Sequence, residues 1–455
     1  MLAMLATIGR ALAQHWPALV ALHLGGVLAR YALIELAGWV GAYTAVGGLL
    51  ILPLAVLARL AAFVGMFLVL RASLRQLSAI APPPASPLER RRAFIASLLG
   101  GVLPFFAVYM ATGNVQQDVD AYAARALEVL STLRLEAAFG DGPEVNGETV
   151  LDVALGWPAL VAIGIALAGR WAWGRWEQRL PRWVAIVAVY LEGVWVFLSV
   201  LLIGDLLDAV RAWVDERQAM VWVADARAWL AESVAPAAWL WDGVDWVLAE
   251  IAGAIGQPLA WLTIAGVMYG QAVAAQAPAL SHRLRGTRLG SIETRVTAAR
   301  SRYGALPSWL RVQLRRLWAP VAARLSPIWR ALVLMLRGGP LLFGATVLLY
   351  ALLVWFEGGL SWATTRMVGA NDFFAFWAVW DVLLLLPVAV IVESLRVVIV
   401  AGAYDAMIGR LRRQEAAAAD ERSATEETDA SARDALTGGG PALTGPAAVA
   451  AGEAR

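Results

Sequence analysis

The fold class the sequence predicts is an all-α, polytopic transmembrane helical bundle, about eight spans arranged as hairpins, with amphipathic interfacial helices on both sides. Three observations predict it. Apolar residues make up 60% of the chain, well above the roughly 45–50% of soluble proteins. These residues gather into stretches of about twenty, the length a helix needs to cross a hydrocarbon core near 30 Å at 1.5 Å per residue. The arginines, finally, fall in clusters with two such stretches between successive clusters, as expected when Arg-rich loops stay in the cytoplasm.

The region before Arg71 has room for two spans, 16–42 and 44–70, although Arg30 and Arg59 interrupt it. A single tilted span preceded by an interfacial helix at 14–30 is the competing reading. Six further spans follow at 94–113, 150–168, 184–206, 254–275, 340–362 and 373–400. The basic clusters are Arg71, Arg75 and Arg90 to Arg92; then Arg170, Arg175, Arg179 and Arg182; then the stretch from Arg283 to Arg337; then Arg410, Arg412 and Arg413. The loops between them are acidic, with Asp118, Asp120, Glu128, Asp141 and Glu144 in one, and Asp215, Glu216, Asp225 and Glu232 in the next. This alternation places both termini in the cytoplasm. The opening residues lack a basic leader and an uninterrupted apolar core, so no cleaved signal is expected.

Outside the spans, 114–139 sets Val119, Leu127, Leu130 and Leu133 among acids, the pattern of an amphipathic outer helix. A second outer region, 207–250, is studded with tryptophans, which prefer the headgroup level. The cytoplasmic segment 281–337 carries an apolar stripe at Leu314, Leu317, Val321, Leu325, Ile328 and Leu332. Arg311, Arg315, Arg316, Trp318, Arg324 and Arg330 lie among these positions and are the candidate lipid-binding residues. A basic amphipathic helix of this kind lies in the plane of an anionic inner leaflet. The expected partners are therefore anionic lipids and a possible cytoplasmic or membrane protein, with no nucleic acid. Two domains result: a transmembrane helical domain at 1–413, and a tail at 414–455 rich in Ala, Glu, Thr and Gly, expected to be disordered.

Composition also excludes chemistry. The chain has no cysteine and no lysine, which removes disulfides, thiolate metal sites, Schiff-base catalysis and the P-loop lysine. Its three histidines, His15, His23 and His282, form no His-Glu-x-x-His pair, and there is no Gly-x-Ser-x-Gly elbow. No cofactor, metal or enzymatic activity is expected. Arg-only basicity with heavy Ala and Gly usage suggests a bacterial plasma membrane.

Charges at membrane depth are costly, so they usually face a cavity or one another. Arg30, Glu35, Arg59, Glu192, Asp205, Asp381, Glu393 and Arg396 fall within the expected spans, Asp205 and Asp381 near the outer ends. The candidate intramembrane polar site is Arg59, Glu192, Glu393 and Arg396. Glu393 and Arg396 are three apart on one helix and can pair locally. A transporter or permease-like protein with these residues along a polar route is the leading expectation. The alternative is a non-catalytic scaffold binding anionic lipids or a partner protein.

Overall fold

The computed structural model describes residues 2–80, 82–140, 157–176, 184–218, 255–270 and 339–437, with scattered residues between 179 and 253. The basic segment 281–337, with all six candidate lipid-binding residues, lies outside the described residues, as do most of the Trp-rich outer region and 141–156. The chain divides into two compact units, Met1–Met407 and Ile408–Arg455. Among the described residues there are helices and no strands.

The helices are α1 (Leu2–Tyr43), α2 (Ala45–Leu70), α3 (Arg75–Ile80), α4 (Pro87–Ala111), α5 (Asn114–Ala138), α6 (Trp157–Trp176) and α7 (Val184–Asp215). Then come α8 (255–270), α9 (Pro340–Val368) and α10 (Ala378–Thr437). Among the described residues, six stretches are long and apolar enough to cross a membrane: Leu2–Tyr43, Ala45–Ser73, Pro87–Ala111, Val184–Asp215, Leu341–Val368 and Phe373–Gln414. The expected spans at 150–168 and 254–275 are not among them. The first begins outside the described residues and continues as α6, which carries Arg170 and Arg175; the second is described only over 255–270.

The opening region is two helices rather than one tilted span. α1 runs unbroken through all 42 residues, about 63 Å at 1.5 Å per residue, twice the hydrocarbon thickness. A single residue, Thr44, joins it to α2. Thr44 is extended, and its hydroxyl accepts a hydrogen bond from the Gly47 amide, capping α2. The two helices then pack antiparallel, because a Cβ added at Gly26 would meet Ala62 at 2.5 Å and one at Gly65 would meet Leu22 at 3.2 Å. Small residues at the crossing let the backbones approach, the usual means of association where lipid competes for apolar contact.

A capping box starts α4: the Ser86 hydroxyl accepts from the Glu89 amide at 3.2 Å, while the Glu89 carboxylate accepts from the Ser86 amide. Gly113, at φ 75°, turns α4 directly into α5, a backbone state glycine adopts without a Cβ penalty. α5 covers the amphipathic helix expected at 114–139. It packs on α1, α2 and α4 and buries Asp118, Tyr122, Ala126 and Leu130, a stripe of period four. Its amphipathic face is occupied by other helices.

Aromatic side chains join the bundle's centre. Phe63 of α2 packs on Phe105 of α4 and Trp261 of α8, Phe106 of α4 meets Phe197 of α7, and Tyr269 lies between Phe67 and Tyr404. At the end of α2, the buried Asp405 carboxylate accepts hydrogen bonds from the Gln76 and Leu77 amides at 2.9 Å each, tying α10 to the first turn of α3. The backbone of α10 is helical through Thr437, and 438–455 of the expected tail lie outside the described residues. The stretch after 413 is rich in Ala and Glu, strong helix formers even where few apolar anchors exist.

Candidate intramembrane polar site

The α1–α2 register brings the first two cations together. Arg30 lies fourteen residues before Thr44 and Arg59 fifteen after it, so both stand about 21 Å along their helices from the turn. From there a line of charged and polar groups passes through six helices.

Arg30 of α1 holds Asp118 of α5 through Nε at 2.7 Å and through Nη2 to the same carboxylate oxygen. The other oxygen of Asp118, whose side chain is wholly buried, accepts from the Tyr109 hydroxyl of α4 at 2.7 Å. Tyr109 in turn accepts from Arg59 Nη1 at 3.4 Å, and the Arg59 guanidinium sits 5.3 Å from its ring centroid. One hydroxyl thus donates to an acid and accepts from a base, the full use of its donor and lone pairs in that direction. Arg59 Nη2 reaches Glu393 Oε1 of α10 at 3.7 Å. Glu393 Oε1 also takes Arg396 Nη1 at 2.5 Å, and Arg396 Nη2 donates to Glu357 Oε2 of α9 at 3.1 Å. The Arg396 guanidinium lies near the Trp261 and Tyr350 rings, with 5.7 and 5.8 Å to their centroids.

The line holds three guanidiniums and three carboxylates, so its formal charges cancel. Cancellation removes most of the cost of placing them at membrane depth, where one unpaired charge costs about 2.5–3.5 kcal/mol on insertion scales. The pairs are not equally tight. Arg30–Asp118 and Arg396–Glu393 are in close contact, whereas Arg59 reaches Tyr109 at 3.4 Å and Glu393 at 3.7 Å, long for a hydrogen bond. Arg59 is therefore the joint between two firm pairs.

Three of the four sequence-predicted residues, Arg59, Glu393 and Arg396, meet in this line. Glu192 is buried on α7 and pairs with Arg170 Nε of α6 at 2.8 Å. Its neighbour Gly193 packs against α2, where an added Cβ would meet Leu57 at 2.7 Å. Arg170 belongs to a cluster that hydropathy assigns to a cytoplasmic loop, yet α6 continues through it. Asp205 and Asp381 are exposed. Glu35 pairs with Arg125 at 2.7 Å on the surface.

Three members of the network, besides Arg30, lie outside the candidate set read from the sequence. Asp118 resembles any acid of an outer loop, and Tyr109 is neutral. Glu357 lies inside the expected 340–362 span and carries the same signal as Glu393, an acid within an apolar run, so it was legible. His23 is buried on the α1 stripe that includes Leu19, Gly26 and Arg30, and its Nε2 has no hydrogen-bond partner. Among the described residues no group of three or more His, Asp or Glu side chains is placed to hold a metal ion. Comparison of the chain with protein-family models, with curated proteins and with solved structures returned no match.

Proposed function

We propose that this chain is a transporter or permease-like protein of the plasma membrane, non-enzymatic, with its termini in the cytoplasm and its polar route along Arg59, Glu393 and Arg396. One observation carries the reading. Arg59 joins two firm ion pairs through two long contacts, so moving it toward a solute costs little while the flanking pairs keep the helices in register. Glu192 with Arg170 forms a second polar position on the same bundle. The basic segment 281–337, with Arg311, Arg315, Arg316, Trp318, Arg324 and Arg330, seats the protein on anionic lipid.

The test uses full-length protein in proteoliposomes on a solid-supported membrane, challenged with concentration jumps of small inorganic ions, amino acids and organic anions. Transient currents in the native chain, lost in Arg59→Gln and Glu393→Gln at unchanged thermal midpoint, are the expected result. The scaffold reading is favoured by the charge balance, since neutral pairs between helices also serve as staples. It predicts no currents, and thermal midpoints that fall in both variants.

A further inference from the structure

α4 and α5 run in series along α2, in the opposite direction. Phe105 of α4 packs on Phe63, Tyr109 accepts from Arg59, and Tyr122 of α5 donates to the Ala45 carbonyl at the start of α2. Between Tyr109 and Asp118, which share a 2.7 Å hydrogen bond, the helix breaks at Gly113. The break therefore lies at the level of Arg59, which is the single charge in the 26 residues of α2 and stands near the middle of an apolar run that fits one crossing. α4 stops at that level, and α5 carries on toward the Thr44 turn.

Two neighbouring helices present unlike surfaces over this stretch. On α1 the exposed side chains of Leu28, Leu36 and Trp39 are apolar, as suits lipid. α5 exposes Gln116, Gln117, Asp120 and Glu128 instead, the first three within one turn of Asp118 and so at the level of the network. Beside them Arg125 pairs with Glu35 of α1 and with Glu128, at 2.7 Å each, and both carboxylates are more than half exposed. Glu35 stands nine residues before Thr44, about 13 Å along the helix. Hydrocarbon offers such groups no hydrogen bonds, so polar surface at membrane depth is found where it is buried in protein or lines water.

We propose that the exposed face of α5 lines a water-filled inlet, running from the Thr44 side of the membrane down to the level of Arg59. Hydrophilic solutes and ions on that side reach Arg59, whose side chain is 24% exposed, without entering hydrocarbon. The inlet gives the proposed transport route its entrance, yet it follows from the depth and polarity of α5 and needs no solute to be moved.

The native chain has no cysteine, so single Cys variants of the full chain in proteoliposomes report one position each. A membrane-impermeant, sulfonated maleimide is added from one side, and Tyr43→Cys, next to the turn, gives the fraction of molecules whose Thr44 side faces the reagent. Gln117→Cys, Asp120→Cys and Ala124→Cys are expected to label to the same final extent as Tyr43→Cys. Leu28→Cys, at a similar depth on the apolar face, should react at least about tenfold more slowly, because the reactive thiolate forms in water and is suppressed in apolar surroundings. Three positions on one face keep the test open if one variant does not fold. Labelling of the α5 positions as slow as that of Leu28→Cys would mean that lipid or protein covers the face, and overturns the inlet. Labelling of Leu28→Cys as fast as Gln117→Cys would put the whole level outside the hydrocarbon, and overturns it equally. Fast labelling on α5 alone, with no transient currents in the native chain, keeps the inlet and removes the transport reading; currents without that labelling do the reverse.

Discussion

At the scale of single residues, the bundle's interior depends on who meets whom rather than on how many charges there are. Asp118 illustrates this. Its carboxylate is fully buried and held by Arg30 and Tyr109, so Asp118→Asn keeps the shape while leaving Arg30 without its counter-charge. Breaking one side of a buried pair costs about 3–5 kcal/mol, and thermal unfolding in detergent should show a large fall in midpoint. The double variant Arg30→Gln with Asp118→Asn is expected to lose less than the sum of the single changes, because the stranded charge is removed. Additive losses would mean that the two side chains act independently. Nothing in the sequence around Asp118 distinguishes it from Asp120, which bonds Gln116 on the exposed face of the same helix.

At the scale of elements, the crossing of α1, α2 and α5 is built around one ring. Tyr122 of α5 lies against Gly41 of α1 and Gly48 of α2, and its hydroxyl donates to the Ala45 carbonyl at 3.2 Å. A Cβ at Gly48 would come within 2.6 Å of that ring and 2.8 Å of the Ala37 carbonyl oxygen. Gly48→Ala should therefore destabilise by about 1–3 kcal/mol, the range for overpacking a filled site, and a variant as stable as the native chain would show that the helices separate freely here. Burial pushes the Tyr122 hydroxyl from 10.0 up to about 12. An acid whose folded value is raised contributes stability that is present below pH 10 and lost as pH rises toward 12, since the unfolded chain ionises first. The alkaline limb of a stability profile should be shallower in Tyr122→Phe than in the native chain. The stripe of α5 was visible in its sequence spacing, but a helix with one apolar face looks the same whether lipid headgroups or other helices cover it.

At the scale of the whole molecule, charge alternation predicts which ends share a compartment. An enzyme active only outside the cytoplasm, fused after Arg413, should be inactive, and the same reporter fused within the acidic stretch near Gly140 should be active; the opposite pattern would invert the proposed orientation. The sequence by itself determined that this chain is helical and apolar enough to cross a bilayer several times, and it placed the helix starts near 44, 184, 340 and 373 to within a few residues. Those properties are local: a run of apolar residues, a Thr or Ser cap and a Gly turn act over one or two helical turns, and their energies do not depend on the rest of the fold. Only the tertiary structure decided that Arg59 meets Glu393, that Glu192 turns instead to Arg170, and that Asp118 joins Arg30 from 88 residues away. The reason lies in the range of the forces. A buried charge requires an opposite one within a few ångströms, yet any helix of the bundle can supply it, and the choice follows from side-by-side packing of glycines and rings that a linear pattern does not encode.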